Sequence, residues 1–175
     1  GYRESHREVT CYAESKDGVH FTKPELGLFE FAGSKANNIV WNGPGTHSFT
    51  PFKDANPKCA PDARYKAVTG VKGGLLPLKS PDGIHWQPIS DKPVITKGAF
   101  DSQNLAFWDP VRKEYRAYWR IFTAGVANGN TWKPEGIRAI RTATSKDTVK
   151  WVAQADLQYV DSPAQQLYVN QIQPY

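Results

Sequence analysis

A seven-residue phrase occurs three times in this chain, and its spacing constrains the fold more than any other feature. It reads Ser15-Lys16-Asp17-Gly18-Val19-His20-Phe21, then Ser80-Pro81-Asp82-Gly83-Ile84-His85-Trp86, then Ser145-Lys146-Asp147-Thr148-Val149-Lys150-Trp151. The leading serines are 65 residues apart both times, and a fixed period of that size signals repeated supersecondary units. Each copy follows a β-like run and ends in an aromatic, so each reads as the tip of a hairpin. Asp-Gly supplies the positive φ that tight hairpin turns require, and Ser and Asp oxygens accept hydrogen bonds from turn N–H groups. Thr148 replaces the glycine in the third copy. A β-branched residue is strained at positive φ, so the sequence predicts a different turn type there.

Between the tips the units align. The run 8–14 alternates into the first tip, and 28–31 followed by 38–41 read as an outer strand and its exit. A second unit has strands over 47–54, 64–69 and 75–79. A third has strands over 102–109, 114–122 and 137–144, with an outer strand over 152–160, and 167–175 opens a further unit. Asp54 and Asp109 hold equivalent places. About four antiparallel strands per unit, in tandem and without a convincing helix, is the pattern of an all-β β-propeller. The expected divisions are the end of one blade over 1–44, blades over 45–99 and 100–164, and the first strand of the next over 165–175. Two full blades plus parts of two more do not close a ring of roughly four to eight. The chain therefore reads as a segment of a longer propeller, whose remaining blades, or further copies of itself, cover the blade edges. A β-sandwich or stacked array is the alternative, and neither needs the 65-residue period.

Composition agrees with a turn-rich β protein: six Trp, eight Tyr and eight Phe accompany 13 Pro and 14 Gly. No run approaches the ~20 apolar residues of a membrane-spanning helix, so no membrane partner is expected. The first residues contain neither an initiator Met nor a signal-peptide core. A formal charge of +5 is spread along the chain rather than clustered, which argues against nucleic acid. Cys11 and Cys59 fit one disulfide or two separate thiols, and no metal-ligand spacing or cofactor motif is present.

Four stretches carry a resemblance: residues 11–27, 37–40, 97–104 and 141–147. They resemble a bacterial family of uncharacterised glycosyl-hydrolase-like proteins. That family is similar to the five-bladed propellers of glycoside hydrolase families 32 and 43. The resemblance implies a five-bladed fold, a glycan substrate, and a sugar pocket where the inner strands begin, opposite the repeated tips. It also implies an extracellular or periplasmic setting. The family-32 motifs Trp-x-Asn-Asp-Pro-x-Gly and Arg-Asp-Pro are absent, since Asp109-Pro110 follows Trp108.

At the inner-strand starts the sequence offers His47, Asp101, Ser102, Gln103, Asn104, Tyr168, Asn170 and Gln171. Amides, hydroxyls and an imidazole converging among aromatics suit sugar hydroxyls; the bland alternative is that they satisfy loop backbones. Hydrolysis of a glycosidic bond needs two carboxyl groups. Asp101 is the single carboxylate at such a position. Glu135, in the long loop over 123–136, is the expected second candidate. Arg120, Arg138 and Arg141 lie on middle strands, where an Arg in the pocket indicates a carboxylated sugar and an Arg between blades is structural. A non-catalytic glycan- or protein-binding propeller is the competing reading.

Overall fold

The structure, a computed structural model, describes residues 8–124, 134–161 and 166–173, and these form antiparallel β-sheets with only two short 3-10 turns. The expected boundary at residue 164 and most of the long loop fall outside the described residues.

The first unit contains β1 (Thr10–Cys11), β2 (Glu14–Ser15), β3 (Phe21–Thr22) and β4 (Ile39–Trp41). β1 pairs with β4, and β2 with β3. The second unit is a four-stranded sheet of β5 (Thr50–Lys53), β6 (Tyr65–Val71), β7 (Gly74–Ser80) and β8 (Gln87–Pro88) in chain order. The third repeats it with β9 (Leu105–Asp109), β10 (Glu114–Phe122), β11 (Arg138–Ser145) and β12 (Trp151–Asp156). The second and third units each form four consecutive antiparallel strands in the expected order, whereas the first consists of two separate two-stranded pairs.

Several strand assignments differ: the run 8–14 splits into β1 and β2 with different partners, β9 starts at Leu105 where 102 was expected, and β12 ends at Asp156 where 160 was expected. Residues 28–31 form no strand, because after the tip the chain turns back and its strand pairing is made by β4 against β1. The second unit's first strand starts at Thr50 because Thr46–Ser48 is a 3-10 turn, entered through Gly45 at φ +84°. Residues 166–173 carry no regular strand; Leu167 N–H instead donates to the Arg138 carbonyl at 3.1 Å.

β10 shows how alternation builds the core. Ala117, Trp119 and Ile121 project from one face, joined by Ala106, Ala139 and Ala143 of neighbouring strands. They pack against Val68, Leu75 and Ile95 of the preceding unit and against Phe100 just past the junction, giving one apolar cluster shared by two sheets. The small alanines leave room for Trp119, whose ring lies so close to Gly98 that a Cβ there would stand 2.4 Å from Trp119 Cδ1. On the other side of the second sheet, Ala67 and Leu78 pack with Trp41 of the first unit, flanked by Phe49 and Trp86, whose rings meet edge-on at 5.0 Å. Each unit thus buries an apolar face against the next in chain order.

The three tips share one hydrogen-bond pattern. Ser80 Oγ accepts from Gly83 N at 2.9 Å, and Asp82 Oδ1 accepts from Ile84 N and His85 N at 2.8 and 2.9 Å. The Ser15 and Ser145 tips repeat these bonds. The expectation of a different turn at Thr148 is therefore corrected. Thr148 takes φ +65°, beside +75° at Gly18 and +81° at Gly83. The Ser and Asp side chains dictate the turn, the buried Thr148 hydroxyl bonds the Asp147 carbonyl at 2.6 Å, and a threonine is held where a glycine fits more easily.

At this end of the sheets a buried polar knot ties the second unit to the third. Asp54, just past β5, pairs with Lys66, and Tyr115 O–H of β10 donates to Asp54 Oδ2 at 2.7 Å. Asp54 Oδ1 accepts from Asn56 N, and Asp109 Oδ1 accepts likewise from Val111 N, so the two aspartates cap equivalent turns.

Candidate functional site

Strand register places the starts of β5 and β9 opposite the tips. Lys53, Tyr65 and Ser80 lie level across the second sheet, as do Asp109, Glu114 and then Tyr115 with Ser145 across the third. The approaches to β5 and β9 are at the other end. There a cleft of about 680 Å³ opens between the first three units, walled by Thr10 and Cys11, by residues 46–51 and by Asp101, Ser102 and Gln103.

The loop over 99–104 is fixed before any side chain reaches the cleft. Ala99 N–H donates to the Arg120 carbonyl at 2.8 Å, and Trp119 Nε1 to the Lys97 carbonyl at 2.8 Å. Asn104 Nδ2 donates to the carbonyls of Phe100 and Ser102 at 3.0 and 2.8 Å. Ser48 Oγ donates to the Phe100 carbonyl at 3.3 Å and accepts from Gly70 N at 3.0 Å. Gly70 makes this approach possible, since a Cβ there would fall 2.3 Å from the Phe100 oxygen.

On this braced loop Asp101 exposes 54% of its side chain, while Oδ1 is held by Arg120 NH2, a side chain only 2% exposed. A desolvated guanidinium is a firm anchor for a carboxylate. Oδ2 has no hydrogen bond to another described residue. Ser102 and Thr10 also line the cleft, with their hydroxyl oxygens buried and without partners.

Of the expected site residues, His47, Asp101, Ser102 and Gln103 line this cleft. Gln171 Nε2 donates to Gln103 Oε1 at 2.8 Å, and Asn170 Nδ2 reaches the Gln103 carbonyl at 3.5 Å, so both amides support the wall from behind. Asn104 is fully buried and braces its own loop. Tyr168 lies over Arg120 instead of in the cleft, its ring centroid 4.6 Å from the guanidinium carbon. Glu135 is exposed, at the foot of its loop where its carbonyl accepts from Ala124 N, and it is not part of the cleft wall.

Sequence reasoning missed Glu8, Thr10 and Cys11. Glu8 Oε1 meets His47 Nδ1 at 3.2 Å, which brings a second carboxylate beside the cleft. These three come from the first unit and reach the site through the β1–β4 pairing, a long-range contact with no local signature. Cys11 and Cys59 are free thiols; burial pushes the Cys59 thiol up, aided by Asp54.

The aspartates of the tips are unsuited to acid–base work at neutral pH. The His20 imidazole at 2.7 Å, with turn N–H groups, holds Asp17 well below the usual carboxylate range. Burial opposes the same effect at Asp82, yet the bonds from His85 and Ile84 prevail. Asp147 is held low chiefly by the Lys150 N–H. Their oxygens are committed to turn donors, which makes the repeated phrase structural. Among the described residues no group of three or more His, Cys, Asp or Glu is placed to hold a metal ion, and no helix is long and apolar enough to cross a membrane.

No family model, curated protein or solved structure matches the chain.

Proposed function

We propose that the chain is part of a carbohydrate-active β-propeller and that the cleft binds a glycan for hydrolysis. Three units, each burying one face against the next in chain order, suit blades arranged about an axis. The observation that carries the functional reading is Asp101: an exposed carboxylate anchored on a buried Arg120, in the wall of a polar cleft.

In this reading Asp101 acts as the carboxylate that stabilises the developing positive charge or activates water, and Glu8 supplies the second carboxyl that hydrolysis requires. His47 orients Glu8, and Gln103, steadied by Asn170 and Gln171, holds sugar hydroxyls. The resemblance to family-32 and family-43 glycosidases points to the same end of the fold.

The test is reducing-sugar release from a panel of oligosaccharides by the full-length protein, beside Asp101→Asn and Glu8→Gln. A loss of about 10²-fold or more in kcat for each variant is expected, the usual size of an acid–base contribution. Glycan binding by calorimetry should change little. An Asp101→Asn protein that cuts as fast as the parent removes Asp101 from the mechanism. Binding without any sugar release assigns the cleft to recognition alone.

A further inference from the structure

On the face of the third sheet turned away from the shared apolar core lies a layer that the cleft does not explain. Phe122 stands opposite Arg138 in register, and Arg120 precedes Phe122 by two residues, so the three share that face. Tyr168 crosses above them. The Arg120 guanidinium carbon lies 5.7 Å from the Phe122 centroid and 4.6 Å from that of Tyr168; the corresponding distances for Arg138 are 5.3 and 5.4 Å. Two guanidinium groups therefore sit between the same two rings.

Their charge and hydrogen bonds are incompletely matched. Asp101 takes Arg120 NH2, but Arg120 Nε and NH1 have no partner although the side chain is 98% removed from solvent. Arg138 NH1 donates to Gln166 Oε1 at 2.8 Å, its Nε has no partner, and no carboxylate among the described residues pairs with it. Two positive charges thus face one negative charge. Buried guanidinium donors are ordinarily satisfied, because leaving them bare forfeits their hydration without replacement. Ser102 Oγ and Asn170 Oδ1, on the loop and segment that meet here, are also buried and unpartnered. A group completing this layer would accept bonds from guanidinium N–H donors, carry negative charge and offer hydroxyls to Ser102 and Asn170.

We infer that the glycan recognised at the adjoining cleft carries a carboxylate, as a uronic acid does, and that Arg120 and Arg138 bind that carboxylate beneath Tyr168. The inference rests on the glycan reading of the cleft and adds the substrate class. A planar carboxylate matches the guanidinium fork in a way a neutral hydroxymethyl group cannot. Tyr168, whose residue is 53% exposed on a stretch without regular strand, is the ring that turns aside to admit the sugar.

Calorimetry of the full-length protein with oligomers of galacturonate and of glucuronate, each beside its methyl ester, tests the charge directly. The esters keep the sugar and remove the anion. Binding at least tenfold tighter for an acid than for its ester is expected, weakening with added salt. Arg138→Met should erase that preference, and Arg138→Lys should retain part of it. Equal affinity for acid and ester, no binding of either, or an acid preference that survives Arg138→Met overturns the inference; the first two need no variant and so do not depend on its folding. A sugar-free multimer that Arg138→Met dissociates would place a protein carboxylate there and also overturn it. Hydrolysis of neutral glycans without acid preference defeats this inference while leaving the hydrolase reading intact. Binding of an acid without cleavage does the reverse.

Discussion

The Tyr115 hydroxyl offers a direct measure of what joins the second unit to the third. Tyr115→Phe removes one oxygen and leaves the ring where it is, 5.0 Å from Trp108 in an edge-on contact and 5.5 Å from Lys66 Nζ. The lost bond ends on the Asp54 carboxylate, whose side chain is wholly buried, so water does not readily replace it. A hydrogen bond to a charged group contributes about 1.5–3 kcal/mol. The second bond, from Asn56 Nδ2 at 3.0 Å, is only partly buried, so water can satisfy the amide and the bond adds little. The expected loss is therefore about 2–3 kcal/mol, equivalent to a fall in Tm of about 4–12 °C at this chain length. Urea titration followed by tryptophan fluorescence reads it directly. Lys66→Met provides the comparison: stripping the cation from a buried carboxylate should cost about 3–5 kcal/mol. The double variant should depart from additivity by more than about 0.5 kcal/mol, because both groups act on Asp54. If Tyr115→Phe shifts stability by less than about 0.5 kcal/mol, the hydroxyl is not holding the two units together and the reasoning fails.

Gly83→Ala separates dihedral strain from crowding, since an added Cβ meets nothing closer than 3.7 Å yet φ is +81°; a loss of about 1–2 kcal/mol in urea is expected, and a neutral result would show that the turn can change type. Gly70→Ala should cost more than about 2 kcal/mol in urea and, on the proposed glycan reading, also weaken binding in calorimetry, because the new Cβ presses on the Phe100 oxygen and the Ser48 hydroxyl and displaces the Asp101 loop. Acid should unfold the protein through the tips. Their carboxyl groups are depressed in the folded state, so their stabilisation is complete above the unfolded value of about 3.9 and declines as pH falls below it toward the lower folded values. Ser145→Ala with Asp147→Asn should flatten that acid limb, and an unchanged limb would locate the sensitive groups elsewhere.

What could be read from the chain follows how local each determinant is. The tips were legible because Ser, Asp and the turn N–H groups that bind them lie within three positions of one another. The order of four strands was legible because β-branched and aromatic runs such as Glu114–Phe122, bounded by turn residues, are strand-like. Thr148 was misjudged because propensity alone forbids what the surrounding side-chain bonds enforce. At the site, Asp101 and its neighbours were visible as polar residues at a strand start. Their meaning depended on partners far along the chain: Arg120 across the sheet, Gln171 68 positions from Gln103, and Glu8 39 positions from His47. Nothing in the local composition around Glu8, Thr10 or Cys11 announces that strand pairing carries them to the same cleft.

The contrast between the tips and the Asp54–Tyr115 knot also has a kinetic side. A tip closes over a handful of residues, whereas the knot closes a loop of 61, and loop-closure entropy rises with length. The outer hairpins can therefore form before the sheets dock, and the knot closes last. In stopped-flow experiments Ser80→Ala should slow refolding, while Tyr115→Phe should act mainly by accelerating unfolding. If both variants change the same limb of the chevron, the units assemble in one step.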